Sequence, residues 1–324
     1  MRGRFIYGAL GVVLTIVTLV TGSYGIHPDN RQSYELALNL QTQVDELAFP
    51  KFRLQDYPVR CFDGTYDYVF SSQDGEVHME KQDPVLGIIA GTAYEVDGIY
   101  QVIIPTIDKF HALMSVMDTV SGIQKETFTF GEQEFGKEEQ ATVIWHEATH
   151  AWQFTNYEKQ ILNRMKKGKA DEASTDLSRE IDENAKVVTL YQQEMDCLLQ
   201  AVNAKSIDAK ISCVLKYKKI EEQRRSLLSE EILTMEEYYE SVEGIAYYVE
   251  SKVYEMLNGR AAYEENYLMP IGQYSNGTHK YYSMGMAKCL LLDELSKNWK
   301  SSYDYSISLT QLLYETYGVD SFTN

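Results

Sequence analysis

The stretch from Ala141 to Phe154 (ATVIWHEATHAWQF) constrains this chain more than any other part of it. No Gly or Pro interrupts it, Glu147 is its one acid, and it holds no Lys or Arg. It reads as a helix beginning near Gly136, with Glu138 and Glu139 in the first turn, where the helix dipole favours acids. Val143, Ile144, Trp145, Trp152 and Phe154 are apolar, and Ala148, Thr149 and Ala151 are small and uncharged, so the helix is predicted to be buried. Two histidines one turn apart and a glutamate would be costly in such a place without a partner.

His146-Glu147-Ala148-Thr149-His150 is an HExxH pattern. Residues i and i+4 share a helix face, with ~5–6 Å between Cβ atoms. Two imidazoles so placed can converge on one tetrahedral zinc ion. Glu147 is turned about 100° from His146, beside the ion, where it can accept a proton from water whose pKa the metal lowers to about 7. The chain has only six histidines, and composition alone would yield this pentapeptide in on the order of 1% of such chains. Glu147 and His150 also form an ExxH, the unit of ferritin-like dimetal bundles. Those need a second ExxH, and no other histidine here has a glutamate three residues before it. His27, His78 and His111 stand alone and read as structural or exposed.

The segment from Val143 to Trp152 resembles the zincin metallohydrolases. The metzincin extension HExxHxxGxxH is absent: Gln153 stands where its glycine would fall, and no third histidine follows. The resemblance is closer to the gluzincins, in which a glutamate on a later helix is the third ligand. Glu243-Gly-Ile-Ala-Tyr-Tyr-Val-Glu250 resembles the EGxAxYxE helix of bacterial gluzincin-like families, whose first glutamate binds zinc. That implies Glu243 as ligand, with Glu250 as the alternative ligand or as a residue orienting a histidine. Small Gly244 and Ala246 would let another helix come close, as a shared metal requires. By helix phase, Glu243 and Glu250 border the apolar stripe Met235, Tyr238, Val242, Ile245, Val249, Val253 and Met256, whereas Glu240 points to the opposite side. Tyr247 stands where the thermolysin-like pattern has an aspartate. Tyr282-Ser-Met-Gly285 resembles the YxxG element of aminopeptidase N-type gluzincins. This implies Tyr282 as the oxyanion donor, with His279 as the alternative. The GxMxN element of that type is absent.

The first 26 residues differ in kind. Arg2 and Arg4 precede an apolar run from Phe5 to Val20, followed by Thr21-Gly-Ser-Tyr-Gly25. This is the order of a secretory signal peptide, and extended to Ile26 it also suits a membrane anchor. Either form places the remainder outside the cytoplasm, secreted or on the extracellular face of the membrane. The net charge of −18 argues against nucleic acid as a partner.

Between these landmarks, 33–47 reads as a short helix and about 57–130 as the strand-rich part. Asp74-Gly75 and Asp97-Gly98 each join two β-prone runs, the strongest short hairpin signal. The run 99–104 is expected to be the edge strand that aligns a peptide substrate. A helical pair, about 177–203 and 207–228, carries Ile181, Val188, Met195, Val202, Cys213, Ile220 and Leu227 at heptad spacing, which suits antiparallel packing or a lid. Further helices are expected at 233–257, 281–299 and 309–317, with a loop at 272–278 that includes the glycosylation-type triplet Asn276-Gly-Thr278. Cys197 and Cys213 could be bridged or could be free thiols, like Cys61 and Cys289.

The expected fold is α+β and predominantly helical: a zincin-like catalytic domain over 27–324 with a small sheet, an active-site helix, and a helical second half containing the hairpin insertion at about 177–228. The expected function is a zinc-dependent (Zn2+) hydrolase, a metallopeptidase acting on a peptide or protein substrate. His146, His150 and Glu243 would be ligands, Glu147 the general base and Tyr282 the oxyanion donor. The alternative is a non-catalytic zinc-binding or assembly protein at the cell surface, on the same scaffold.

Overall fold

The computed structural model describes residues 26–45, 49–87, 91–119, 135–165, 174–296 and 298–319. The expected leader lies outside them. Among the described residues no helix is long and apolar enough to cross a membrane. The architecture is α+β and mostly helical with a small five-stranded sheet. Two compact units emerge: one of residues up to Asn156 together with Lys252–Asn258, the other of Tyr157–Ser251 and Gly259–Asn324.

The first unit holds helices α1 (Pro28–Asn39) and α2 (Gln41–Asp45), strands β1 (Val59–Phe62), β2 (Asp67–Gln73), β3 (Glu76–Gln82), β4 (Thr92–Val96) and β5 (Ile99–Pro105), and helix α3 (Ile107–Thr119). The first helix starts at Pro28, earlier than its apolar pattern suggests, because Pro fits the first helical turn and the His27 side chain caps it. Both Asp-Gly pairs form hairpin turns in which Asp74, Gly75, Asp97 and Gly98 all take positive φ, as type I′ turns require.

The strand order is β3-β2-β1-β5-β4, antiparallel except for the parallel pair β1–β5. The expectation that 99–104 forms an edge is therefore corrected: β5 lies between β1 and β4, and the edge strands are β4 and β3. The central strand β1 was not foreseen. It is only four residues long, wholly buried, and carries Arg60. The Arg60 guanidinium is satisfied inside by Gln101 (2.6 Å), Gln82 (3.0 Å) and Asp67 (3.3 Å).

Helix α4 (Lys137–Met165) begins where its acids indicated, with Gly136 N donating to Glu139 Oε2 at 3.0 Å. Its apolar face is anchored through Trp145, whose Nε1 donates to Ala37 O at 3.1 Å. Phe52 packs against Trp145 and Trp152 at 5.3 and 5.8 Å between ring centroids.

The second unit is built from helices joined by loops: α5 (Ser174–Asp182), α6 (Ala185–Asn203), α7 (Ile207–Arg225), α8 (Glu230–Tyr263, of which Lys252–Asn258 belongs to the first unit), α9 (His279–Leu295), α10 (Trp299–Ser302) and α11 (Leu309–Tyr317). Asn184 breaks the expected 177–203 helix by capping α6. The α6–α7 pair does pack, but along a different seam. Val187, Tyr191, Met195 and Leu198 on α6 and Val214 and Tyr217 on α7 are buried, while Leu227 is 42% exposed. The heptad count missed this because the buried seam also includes Glu194, Glu221 and Arg224, which any apolar pattern discards. All four cysteines are free. Gly259 (φ 82°, ψ 170°) marks a break in α8, after which the helix resumes.

Candidate metal centre

Both histidines of the motif lie on buried turns of α4: His146 is 8% and His150 4% exposed. Their Nε2 atoms face each other at 3.2 Å. A carboxylate oxygen of Glu243, on α8, joins them, and the three donor atoms all lie within 4.8 Å of one another. Two nitrogens bound at ~2.0–2.1 Å to a tetrahedral ion stand ~3.3–3.4 Å apart, close to the separation of these two rings. Two imidazoles and a carboxylate are also the ligand types of open, three-protein-ligand zinc sites, which leave one position for water or substrate.

Helix α8 brings more than Glu243. A Cβ on Gly244 would stand 2.6 Å from the Gly285 Cα, so α8 and α9 cross with their backbones in contact. The small residue after Glu243 thus serves the crossing with α9, where Gly285 ends the Tyr282-x-x-Gly element. Tyr239 and Tyr247 lie one turn before and one turn after Glu243, on the same helix face. The Tyr282 ring packs against both, at 6.4 and 6.0 Å between centroids, which brackets Glu243 from the α9 side. His279 stacks on Tyr282 at 5.5 Å. The neighbouring Tyr281 is fully buried, with its hydroxyl 3.3 Å from that of Tyr191, whereas Tyr282 is half-buried.

Glu250 is not in the donor cluster. Its Oε1 accepts the Tyr267 hydroxyl at 2.7 Å. Glu240 turns to Lys288, whose Nζ is 2.5 Å from Oε2.

Two residues near the motif escaped sequence reasoning. The Gln153 side chain, fully buried, meets His150 Nδ1 at 2.8 Å. With the amide oxygen accepting, the proton sits on Nδ1 and Nε2 is left free to bind metal. One turn after a metal-type histidine, a buried glutamine in an apolar helix was the available signal. Gly91, just before β4, is the second: a Cβ there would overlap the Glu147 carboxylate and stand 3.1 Å from its carboxyl carbon. The lack of a side chain lets backbone approach Glu147 directly.

Replacing Gln153 by alanine should weaken zinc binding about 10–100-fold, because His150 loses the contact that orients its ring. Competition with a chromogenic chelator measures this, and an unchanged affinity in a folded variant would show that Gln153 does not position the ring.

Compared with known protein families, with curated proteins and with solved structures, the chain matches none.

Proposed function

We propose that this chain is a zincin-like, gluzincin-type zinc hydrolase that cleaves peptide bonds outside the cytoplasm. The observation that carries the reading is the convergence of His146, His150 and Glu243 donor atoms within 4.8 Å, two of them from an HExxH helix. Zinc held there would supply Lewis acidity and make water nucleophilic near neutral pH.

The remaining steps belong to the chain. Glu147 takes the proton from the attacking water and passes it to the leaving amine. Tyr282, bracketing Glu243, donates its hydroxyl to the developing oxyanion. The edge strand β4, which begins beside Glu147 at Gly91, offers its outer edge to an extended peptide. An intact Glu147 favours catalysis over mere zinc storage, since binding the ion does not require a base.

The test is zinc content in wild type, Glu243→Ala and Glu250→Ala, paired with chelator-sensitive cleavage of a peptide library. One zinc per chain in wild type and in Glu250→Ala, and none in Glu243→Ala, is the expected pattern. Loss in Glu250→Ala alone would overturn the ligand assignment. Stoichiometric zinc without any turnover would favour the non-catalytic alternative.

A further inference from the structure

We propose that Asp182, at the end of α5, is a positioning residue for Tyr282: it fastens the segment 274–280, and with it the first turn of α9 that carries the Tyr282 ring. The inference rests on the reading of Tyr282 as oxyanion donor and names the group that holds the donor in place.

The Asp182 carboxylate takes three donors from this segment. Oδ1 accepts the Tyr274 hydroxyl at 2.5 Å and Lys280 Nζ at 3.1 Å, and Oδ2 accepts Gly277 N at 2.8 Å. Lys280 Nζ also donates to Gly277 O. The stretch before it is tied to α6. Gln192 Nε2 donates to Gly272 O at 2.7 Å, and its Oε1 accepts Tyr274 N at 3.1 Å. The loop Gly272-Gln-Tyr-Ser-Asn-Gly277 is closed by two glycines and has little conformational preference of its own. These side-chain bonds therefore decide where α9 begins.

The charges single out Asp182 among the ties. Lys280 is the second residue of α9, and its side chain is fully buried. The helix dipole opposes a cation at that end. Burial lowers the Lys280 pKa, and the charge of Asp182 is the main influence acting against it. Asp182 in turn is the last residue of α5, where the dipole opposes an anion. Each charge stands at the unfavourable end of its own helix, and each compensates the other. A pair of this kind adds little net stability, yet it fixes one helix end against another. The rings of Tyr274 and Tyr281, each with its centroid 5.1 Å from Nζ, enclose the ammonium.

The path from Lys280 to Tyr282 is short. His279, the residue before Lys280, stacks on the Tyr282 ring at 5.5 Å with 12° between planes, and meets Tyr247 edge-on at 5.5 Å. A shift of the first turn of α9 moves His279 and Tyr282 together. An oxyanion donor must stand ~2.7–3.1 Å from the developing charge, and a misplacement of ~1 Å can cost about 10²-fold in rate.

The test uses the full chain with Asp182→Asn and Lys280→Met, each alone and combined with Tyr282→Phe. Chelator-sensitive peptide turnover is followed. Asp182→Asn and Lys280→Met should each lower kcat about 10–100-fold, with KM and zinc content unchanged. In the Tyr282→Phe background they should add little, because the hydroxyl they position is already gone. A merely structural role would give losses that add. A chain with fluorotyrosine at position 282 alone reads the ring without turnover, and its fluorine resonance should shift by more than a linewidth in Asp182→Asn. Unchanged kcat in both folded variants, additive losses, or an unmoved resonance would overturn the proposal. Wild-type turnover in Tyr282→Phe would instead overturn the donor reading, while the resonance still decides whether Asp182 places the ring. Lys280→Met strands no buried cation, and so covers an Asp182→Asn chain that fails to fold.

Discussion

Exchanging Glu147 for glutamine should lower peptide cleavage by about 10²–10⁴-fold, the range a positioned general base contributes, while leaving one zinc per chain. The substitution keeps the shape of a side chain that is 7% exposed and lies against Gly91, and it removes only the ability to accept a proton. His146, His150 and Glu243 are untouched, so metal content separates a lost base from a lost ion. Steady-state turnover beside metal analysis of the same preparations decides the matter. If the glutamine variant cleaves as fast as wild type with zinc bound, the catalytic account fails although the metal centre survives.

The second large effect lies in the all-helical unit. Arg224 on α7 is fully buried; its Nε and Nη2 donate to both oxygens of Glu194 at 2.7 and 3.1 Å, and its Nη groups reach both oxygens of Glu236. The guanidinium stacks 3.9 Å from the Tyr191 ring centroid. Arg224→Met keeps the bulk and leaves the buried Glu236 carboxylate without its cation and the Glu194 carboxyl without its two donors. Breaking a buried ion pair in this way costs about 3–5 kcal/mol, so thermal unfolding should shift sharply downward. Arg224→Lys should rescue little, because an ammonium cannot reach both Glu194 and Glu236 through a planar fork of donors. An unfolding midpoint within a degree of wild type for Arg224→Met would refute the assignment.

The same cluster sets a pH dependence. Burial pushes Glu194 up to about 8, against the pull of Arg224. Glu236, which burial would also raise, is held below the usual value chiefly by the Arg224 charge and hydrogen bonds. A carboxyl whose folded pKa is raised binds its proton more tightly when folded. Its contribution is therefore fully present below about 4.5, the ordinary glutamate value, and is lost as pH rises through about 8. Stability should fall by on the order of a few kcal/mol between pH 5 and 9, and Glu194→Gln should flatten that slope. Thermal unfolding across the range measures it.

Local chemistry, written in the chain itself, determined the two Asp-Gly hairpins, the start of α4, the limits of α11 and the pairing of His146 with His150. Each depends on contacts within a few residues, through turn φ values, the helix dipole or an i,i+4 spacing. The α+β character, with helix dominating the second half, follows from the same periodicities.

Tertiary structure alone decided what depends on distant partners. The order of the sheet put β4 rather than β5 at the edge, because β5 pairs in parallel with β1, a strand of four residues too short to be recognised. Which carboxylate of α8 turns to the histidines and which accepts a tyrosine is a matter of helix crossing at Gly244 and Gly285. The approach of Gly91 to Glu147 exists only once α4 is packed. The Arg224 cluster was the least legible of all. Charged residues read as surface in any linear pattern, and only mutual satisfaction of their hydrogen bonds inside the fold allows Arg224, Glu194 and Glu236 to be buried together.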